Sequence, residues 1–179
     1  KELRELSYMG ATVLHDESIF PVRKEGIPIN IRNTNKPEDP GTMIVESTSR
    51  KPEYVITGIA GKKGFTVVSI EKDMMNSEIG FGRKVLEVFE KQGLSFEHTP
   101  SGIDTMSIVV EKEQEVLAGL HRNVHPDAIE IESGLALIAV VGRGMKSSHG
   151  TAGKLFTALA DANVNVKMID QGSSELNII

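Results

Sequence analysis

Cysteine is absent from this chain of 179 residues, which rules out disulfides, thiolate metal sites and a cysteine nucleophile. The absence fits a reducing cytoplasm, the expected location. Tryptophan is missing too, and Tyr8 and Tyr54 are the only tyrosines, so little is available for base stacking. Basic and acidic residues number 20 and 25, intermixed, for a formal net charge of -5. A phosphate backbone calls for a basic stripe or a module motif, and neither is present, so no nucleic-acid partner is expected. No apolar run approaches the roughly 18 residues of a membrane span, so no membrane partner is expected either. The first residues lack the charged and apolar regions of a signal peptide, and the start at Lys1 suggests an excised piece or a missing initiator.

Enzyme signatures are also missing. There is no GxxxxGK[ST] phosphate loop and no G-x-G-x-x-G opening a βα unit; Gly142-Arg143-Gly144 is the nearest approach. His15, His98, His121, His125 and His149 form no H-E-x-x-H, and Pro126 directly after His125 predicts a helix end there rather than a metal pair. Ser77, Ser147 and Ser148 have no visible base partner and read as caps or ligand contacts. Neither a catalytic residue nor a metal site is expected.

The chain does have a regular alternation of elements. Residues 1–52 predict a short helix over Glu2 to Leu14, with Leu3, Leu6, Met9, Ala11 and Val13 on an imperfect apolar stripe. A second helix follows from Glu17 to Glu25, then small strands at Ile27 to Ile31 and Met43 to Val45 around a Pro- and Asn-rich loop. Tyr54 to Ala60 predicts a strand and Gly61 to Gly64 a turn. Beyond them the order is strand (Phe65 to Ile70), helix (Phe81 to Lys91), strands (Leu94 to His98, Met106 to Val110), helix (Val116 to Leu120) and strand (Ile129, Ile131). This β-α-β-β-α-β order is the ferredoxin-like unit of a four-stranded antiparallel sheet with two helices on one face, an α+β fold.

The pattern then begins again. A shift of 70 residues lays Phe65 to Val109 over Leu135 to Ile179 without a gap, with identities at Met75/Met145, Ser77/Ser147, Gly80/Gly150, Lys84/Lys154, Gly102/Gly172 and Ile108/Ile178. A repeat of this kind changes the expected fold from one irregular domain to two similar modules. The expected division is 1–52 as a separate α/β region with a linker, 53–132 as a first module preceded by a strand available to the second, and 133–179 as a second module. That second copy stops before its last helix and strand, as if truncated.

Each copy has a glycine-containing loop before its first helix, Met74 to Gly80 and Met145 to Gly150, and a turn after its second strand, Thr99 to Gly102 in the first. Such a loop brings backbone close to a ligand, and the helix start offers N–H groups to a carboxylate. Glu97 and Asp104 are acidic partners for an amine. The same loops, read without a ligand, are ordinary solvated turns.

Two sets of stretches carry a family resemblance. Leu6 to His15, Gly26-Ile27-Pro28-Ile29, and Arg32-Asn33-Thr34 through Pro40-Gly41-Thr42 resemble the end of the kinase domain of aspartokinases; Ile56 to Ala60, the repeat, and Leu135 to Gly142 look like their paired ACT domains. The resemblance implies that residues 1–52 are the end of a kinase domain, and that the full-length relative transfers the ATP γ-phosphate to aspartate with Mg²⁺, from sites upstream of the region matched here. This chain itself would need no cofactor. In lysine-sensitive members, the effector lies between the first ACT modules of two chains. The matching positions are Met75, Glu78, Gly80, Phe81, Gly82, Ser95, Phe96, Glu97, Ser101 and Gly102, with Glu97 standing where many relatives have aspartate. Met75 and Phe81 would cover the effector's aliphatic stem. The resemblance therefore implies a homodimer or higher homo-oligomer and an amino-acid effector, L-lysine ahead of threonine. The other class of function is an ACT dimerisation module with no effector.

Overall fold

The structure, a computed structural model, describes residues 2–9, 14, 16–111, 116–172 and 175–179. Two short helices open the chain, α1 (Glu2–Tyr8) and α2 (Asp16–Lys24). The sequence extends the first helix to Leu14, but it ends at Tyr8, and Ala11, Val13 and His15 lie outside the described residues. β1 (Ile29–Ile31) and β2 (Thr42–Ile44) then form a two-stranded antiparallel ladder. Gly41 at the second strand's edge has φ 74°, and a Cβ there would stand 2.3 Å from the Ile31 carbonyl oxygen.

The remaining strands are β3 (Gly58–Glu71), β4 (Thr105–Val110), β5 (Ala128–Val141), β6 (Ile169–Gln171) and β7 (Glu175–Ile178). They form one antiparallel sheet in the order β4-β3-β5-β7-β6. Here the structure departs from the expected strand pattern. Gly61 to Gly64 is not a turn: the chain runs straight on, and β3 pairs with β5 from Gly58↔Val141 to Glu71↔Ala128. Tyr54 to Thr57 precede the strand rather than forming it, and the two expected strands around Ile129 and Leu135 are likewise one. The first half of β3, Gly58 to Lys63, pairs with Val141 to Ala136, so the two copies share long strands instead of standing as separate sheets.

The register slips next to Phe65, between Lys63 and Val67, beside glycines with positive φ on both strands, Gly64 (φ 95°) and Gly134 (φ 78°). These are β-bulges, which insert one residue and reset the two-residue alternation. On β3, Ala60 shares a face with Phe65 and Val67 although Ala60 and Phe65 are an odd five positions apart. On β5, Ile129 and Ile131 face one way, while Leu135, Leu137 and Ala139 face the other. Because both strands reset together, one apolar face continues across the whole sheet.

That face holds Phe65, Val67, Val109, Leu137, Val141 and Ile179, with Leu6 from the first helix and Met9 directly after it packed on it. The opposite face carries two cores. One, under α3 (Phe81–Lys91) and α4 (Leu117–Val124), is built from Ile70, Val85, Phe89, Ile108, Leu120 and Val124. The other lies under α5 (Thr151–Asp161), with Val140, Leu176 and Ile178 against Leu155, Phe156 and Leu159. Fully burying an aliphatic or aromatic side chain of this kind is worth about 1.5–3 kcal/mol, so the sheet is held by these contacts more than by any ion pair.

The internal repeat is present in the geometry. The helix bounds Phe81–Lys91 and Thr151–Asp161 differ by the same 70 residues. Both helices start from a left-handed glycine, Gly80 (φ 78°) and Gly150 (φ 77°). Their ends repeat too: Leu94 N–H donates to Phe89 O and Val164 N–H to Leu159 O, each at 2.9 Å. The expected strand at Leu94 to His98 is thinner than the alternation suggests. It meets β4 through an isolated bridge, His98↔Val109, with a second, Ser101↔Met106, in the same register just beyond it. Ser107 N–H reaches Pro100 O at 2.9 Å, but Pro100 has no N–H to return, which interrupts the ladder.

Candidate functional site

The loop after β3 is pinned from below. Lys72 N–H donates to Asp104 O at 2.9 Å and Asn76 N–H to Ile103 O at 3.1 Å, which joins the loop to the turn before β4. Between them Met74 takes a left-handed conformation (φ 59°), and Met75–Ser77 form a single 3₁₀ turn. Gly80 then opens α3, with no side-chain cap. The first intrahelical bond is Lys84 N–H to Gly80 O at 3.1 Å, and Phe81 N–H is taken by Glu78 O at 3.2 Å. The N–H groups of Gly82 and Arg83 belong to the first turn, whose donors have no partner inside a helix.

The side chains divide unexpectedly. Met75 and Phe81 are 7% and 4% exposed and pack in the core beneath the loop. The apolar side chains that reach solvent around it are Met74, Ile79 and Ile103. Glu78 is held by two ammonium groups, Lys72 at 2.6 Å and Lys84 at 2.6 Å. These hydrogen bonds, Lys72 first and then Lys84, pull its carboxyl from an ordinary 4.5 down to about 2, against a smaller opposing effect of burial. Lys72 also donates to Val124 O at 2.6 Å and lies 5.6 Å over the Phe81 ring. Glu78 is thus a brace for the loop, tying β3, α3 and the end of α4.

Of the remaining sequence-derived positions, Gly82 lies against Met106, with the position of a Cβ 3.7 Å from its methyl. Ser101 faces Met106 across the turn, and Gly102 N–H donates to Thr105 O at 2.8 Å. Ser95 and Phe96 are exposed. Glu97 N–H donates to Val109 O at 2.8 Å, and its carboxylate accepts a 2.8 Å bond from the Tyr8 hydroxyl. Met75 to Gly82, Ser101 and Gly102 therefore gather at one end of β4. Glu97 sits beside Val109, three residues along from Met106, about 10 Å at 3.3 Å per residue. Tyr8 and Lys72 belong to this region and have no signal in the local sequence pattern, whereas Lys84 is one of the identities of the repeat.

The equivalent loop of the second copy is used differently. Gly142 and Gly144 are buried, and a Cβ on either would strike the backbone of Val55, at 2.1 Å from its O and 2.7 Å from its Cα. Residues 54–57 cross over that loop, which explains the two glycines without a dinucleotide. Glu2 completes the cover, accepting from Thr57 Oγ1 at 2.6 Å and Arg143 N–H at 2.8 Å, and pairing with Arg143 Nε at 3.1 Å. Met74 is exposed where its counterpart Gly144 is covered.

Known proteins match this arrangement along its length. Aspartokinase 3 of Bacillus subtilis is 42% identical over 186 aligned residues, covering 100% of this chain and 41% of the relative. The structure of Clostridium acetobutylicum aspartate kinase superposes with a TM-score of 0.89 at 54% identity, covering 99% of this chain and 43% of that one. This chain belongs to the aspartokinase family. A family model for the ACT domain matches residues 138–179. Escherichia coli aspartokinase III, in a structure with lysine and aspartate described as the T-state, has the same fold at a TM-score of 0.72 and 22% identity. The chain spans about two fifths of the length of these aspartokinases and corresponds to their ACT-containing regulatory part. Among the described residues, no helix is long and apolar enough to cross a membrane and no group of three His, Cys, Asp or Glu could hold a metal.

Proposed function

We propose that this chain is the effector-sensing part of an aspartate kinase, the enzyme that uses ATP and Mg²⁺ to turn L-aspartate into 4-phospho-L-aspartate on the way to lysine, threonine and methionine. It binds an end-product amino acid at its first ACT copy and works as a homodimer or larger homo-oligomer. Residues 1–52 are the end of the kinase domain and 53–132 and 133–179 the two ACT copies, sharing β3. The observation that carries this reading is the asymmetry of the two copies. The same loop and left-handed glycine precede a helix in both, yet the second loop is covered by residues 54–57 and Glu2, while Met74 and Ile79 stand exposed on the first.

The chemistry favours lysine. The helix start at Gly82 and Arg83 offers backbone donors to a carboxylate. Glu97, about 10 Å along β4 by strand spacing, offers a carboxylate to a distant ammonium. A long side chain tipped with an ammonium suits that separation, whether within one chain or across two, and a short hydroxyl side chain does not. Met74, Ile79 and Ile103 are better placed than Met75 and Phe81 to cover the aliphatic stem. The E. coli enzyme of the same fold, whose T-state structure is a complex with lysine and aspartate, is in keeping with this choice.

Calorimetry on this chain and its Glu97→Gln variant tests the reading. Lysine should bind the wild type, and loss of the charge-assisted contact should weaken it by about 1.5–3 kcal/mol, roughly ten- to a hundredfold. Equal affinities remove Glu97 from the site. No binding of lysine or threonine to an assembled wild-type dimer leaves the effector-free dimerisation module, which the bracing role of Glu78 favours.

A further inference from the structure

The first helix touches both copies although it is only seven residues long. At its start, the Glu2 carboxylate holds the loop of the second copy through Arg143 and Thr57. In its middle, Leu6 packs so closely on Gly58 that an added Cβ would stand 2.8 Å from its Cδ1. At its end, Tyr8 donates its hydroxyl to Glu97 in the first copy at 2.8 Å, across 89 residues of sequence. Met9, directly after, is 5% exposed in the core on that face of the sheet. A carboxylate accepts at two oxygens, and the tyrosine bond uses Oε1.

We propose that Tyr8 is a positioning residue of the effector site, its hydroxyl fixing the Glu97 carboxylate so that the second oxygen faces the effector's ammonium. The inference rests on the reading that Glu97 meets the effector. A carboxylate already held in one rotamer loses less freedom when the ammonium arrives. Linkage makes the effect reciprocal: if docking of α1 raises effector affinity by some factor, effector binding tightens docking of α1 by the same factor. The helix then reports effector occupancy to whatever chain it is continuous with, and Glu2 carries the same report to the second copy.

The composition supplies a clean probe. With no tryptophan and two tyrosines, Tyr54→Phe leaves Tyr8 as the sole emitter. A phenol bound to a carboxylate emits weakly, because its excited state gives up the proton. Tyr8 emission in the Y54F chain should therefore be low, rise when Glu97→Gln is added, and fall further on titration with lysine. Tyr8→Phe should weaken lysine binding about three- to tenfold, the ordinary worth of one hydrogen bond. It should also abolish the lysine-dependent slowing of amide exchange in residues 2–8, and cost nothing further in an E97Q background. If E97Q loses lysine while Y8F binds it as tightly as wild type or more tightly, the positioning role is overturned and the effector reading stands. If neither lysine nor threonine binds the wild type, both fall.

Discussion

Gly142→Ala isolates the crossing of residues 54–57 over the second loop. The glycine has φ -179° and ψ 127°, extended backbone that any residue adopts, so the substitution introduces no backbone strain. Its cost comes from space alone. The new methyl would lie 2.1 Å from Val55 O, 2.8 Å from Ile56 Cα and 3.0 Å from Thr57 N. Those are backbone atoms, and a carbon contact wants about 3.5 Å. The crossing segment must therefore withdraw by about 1 Å or more. Withdrawal breaks two bonds: Thr57 N–H to Val141 O at 2.7 Å and Thr57 Oγ1 to Glu2 at 2.6 Å. A neutral hydrogen bond is worth about 0.5–1.5 kcal/mol and one to a charged group about 1.5–3 kcal/mol, so the expected loss is about 2–4 kcal/mol. In urea unfolding, with a slope near 2 kcal/mol/M, the midpoint should fall by about 1–2 M at unchanged slope. A G142A chain within about 0.5 kcal/mol of wild type would refute the reasoning, since surface substitutions without a packing role fall in that range.

Gly153→Ala is the opposite case: it lies inside α5 with nothing within 4 Å of its missing Cβ, and should stabilise the chain by about 0.5–1 kcal/mol in the same assay. Glu78 sets an acid limit. Because its folded value is depressed from 4.5 to about 2, chiefly by the hydrogen bond from Lys72 and then by that from Lys84, its contribution is fully present above the unfolded value and lost as pH falls through that window. Melting temperatures of wild type and Glu78→Gln should differ most above pH 4.5 and converge towards pH 2; a constant offset across that range would rule the brace out.

The repeat was the most legible part of the fold. Six identities in 45 aligned positions are few, but the periods of apolar residues placed both helices on equivalent turns, and the structure bounds them at Phe81–Lys91 and Thr151–Asp161. The length of β3 and β5 was not legible. Gly61-Lys62-Lys63-Gly64 has the composition of a turn, and glycine and lysine are poor strand formers. Pairing overrides that preference: Gly61 and Lys62 lie opposite Ile138 and Leu137, and only Gly64 keeps the left-handed conformation, as a bulge. A strand partner more than 70 residues away leaves no mark in a local window.

The candidate site divides along the same line between local and distant signals. The left-handed Gly80, the helix start and the turn at Gly102 follow from neighbouring residues, and these the sequence could indicate. Which side chains face solvent depends on the tertiary packing beneath the loop. Met75 and Phe81 turn inward to the core that Val85, Ile108 and Leu120 build, which leaves Met74 and Ile79 outside. The partners of the two acidic positions are less local still. Glu78 meets Lys72 and Lys84 at close range in sequence, whereas Glu97 meets Tyr8 only because a helix from the far end of the chain lies on the sheet. The two copies show the consequence. Loop, glycine and helix recur at one spacing, so a local reading assigns both loops the same capacity. Glu2 and residues 54–57 cover the second loop and not the first, and it is this long-range contact that makes two nearly equivalent elements differ: one is attached to the first helix, while the other keeps Met74 and Ile79 exposed.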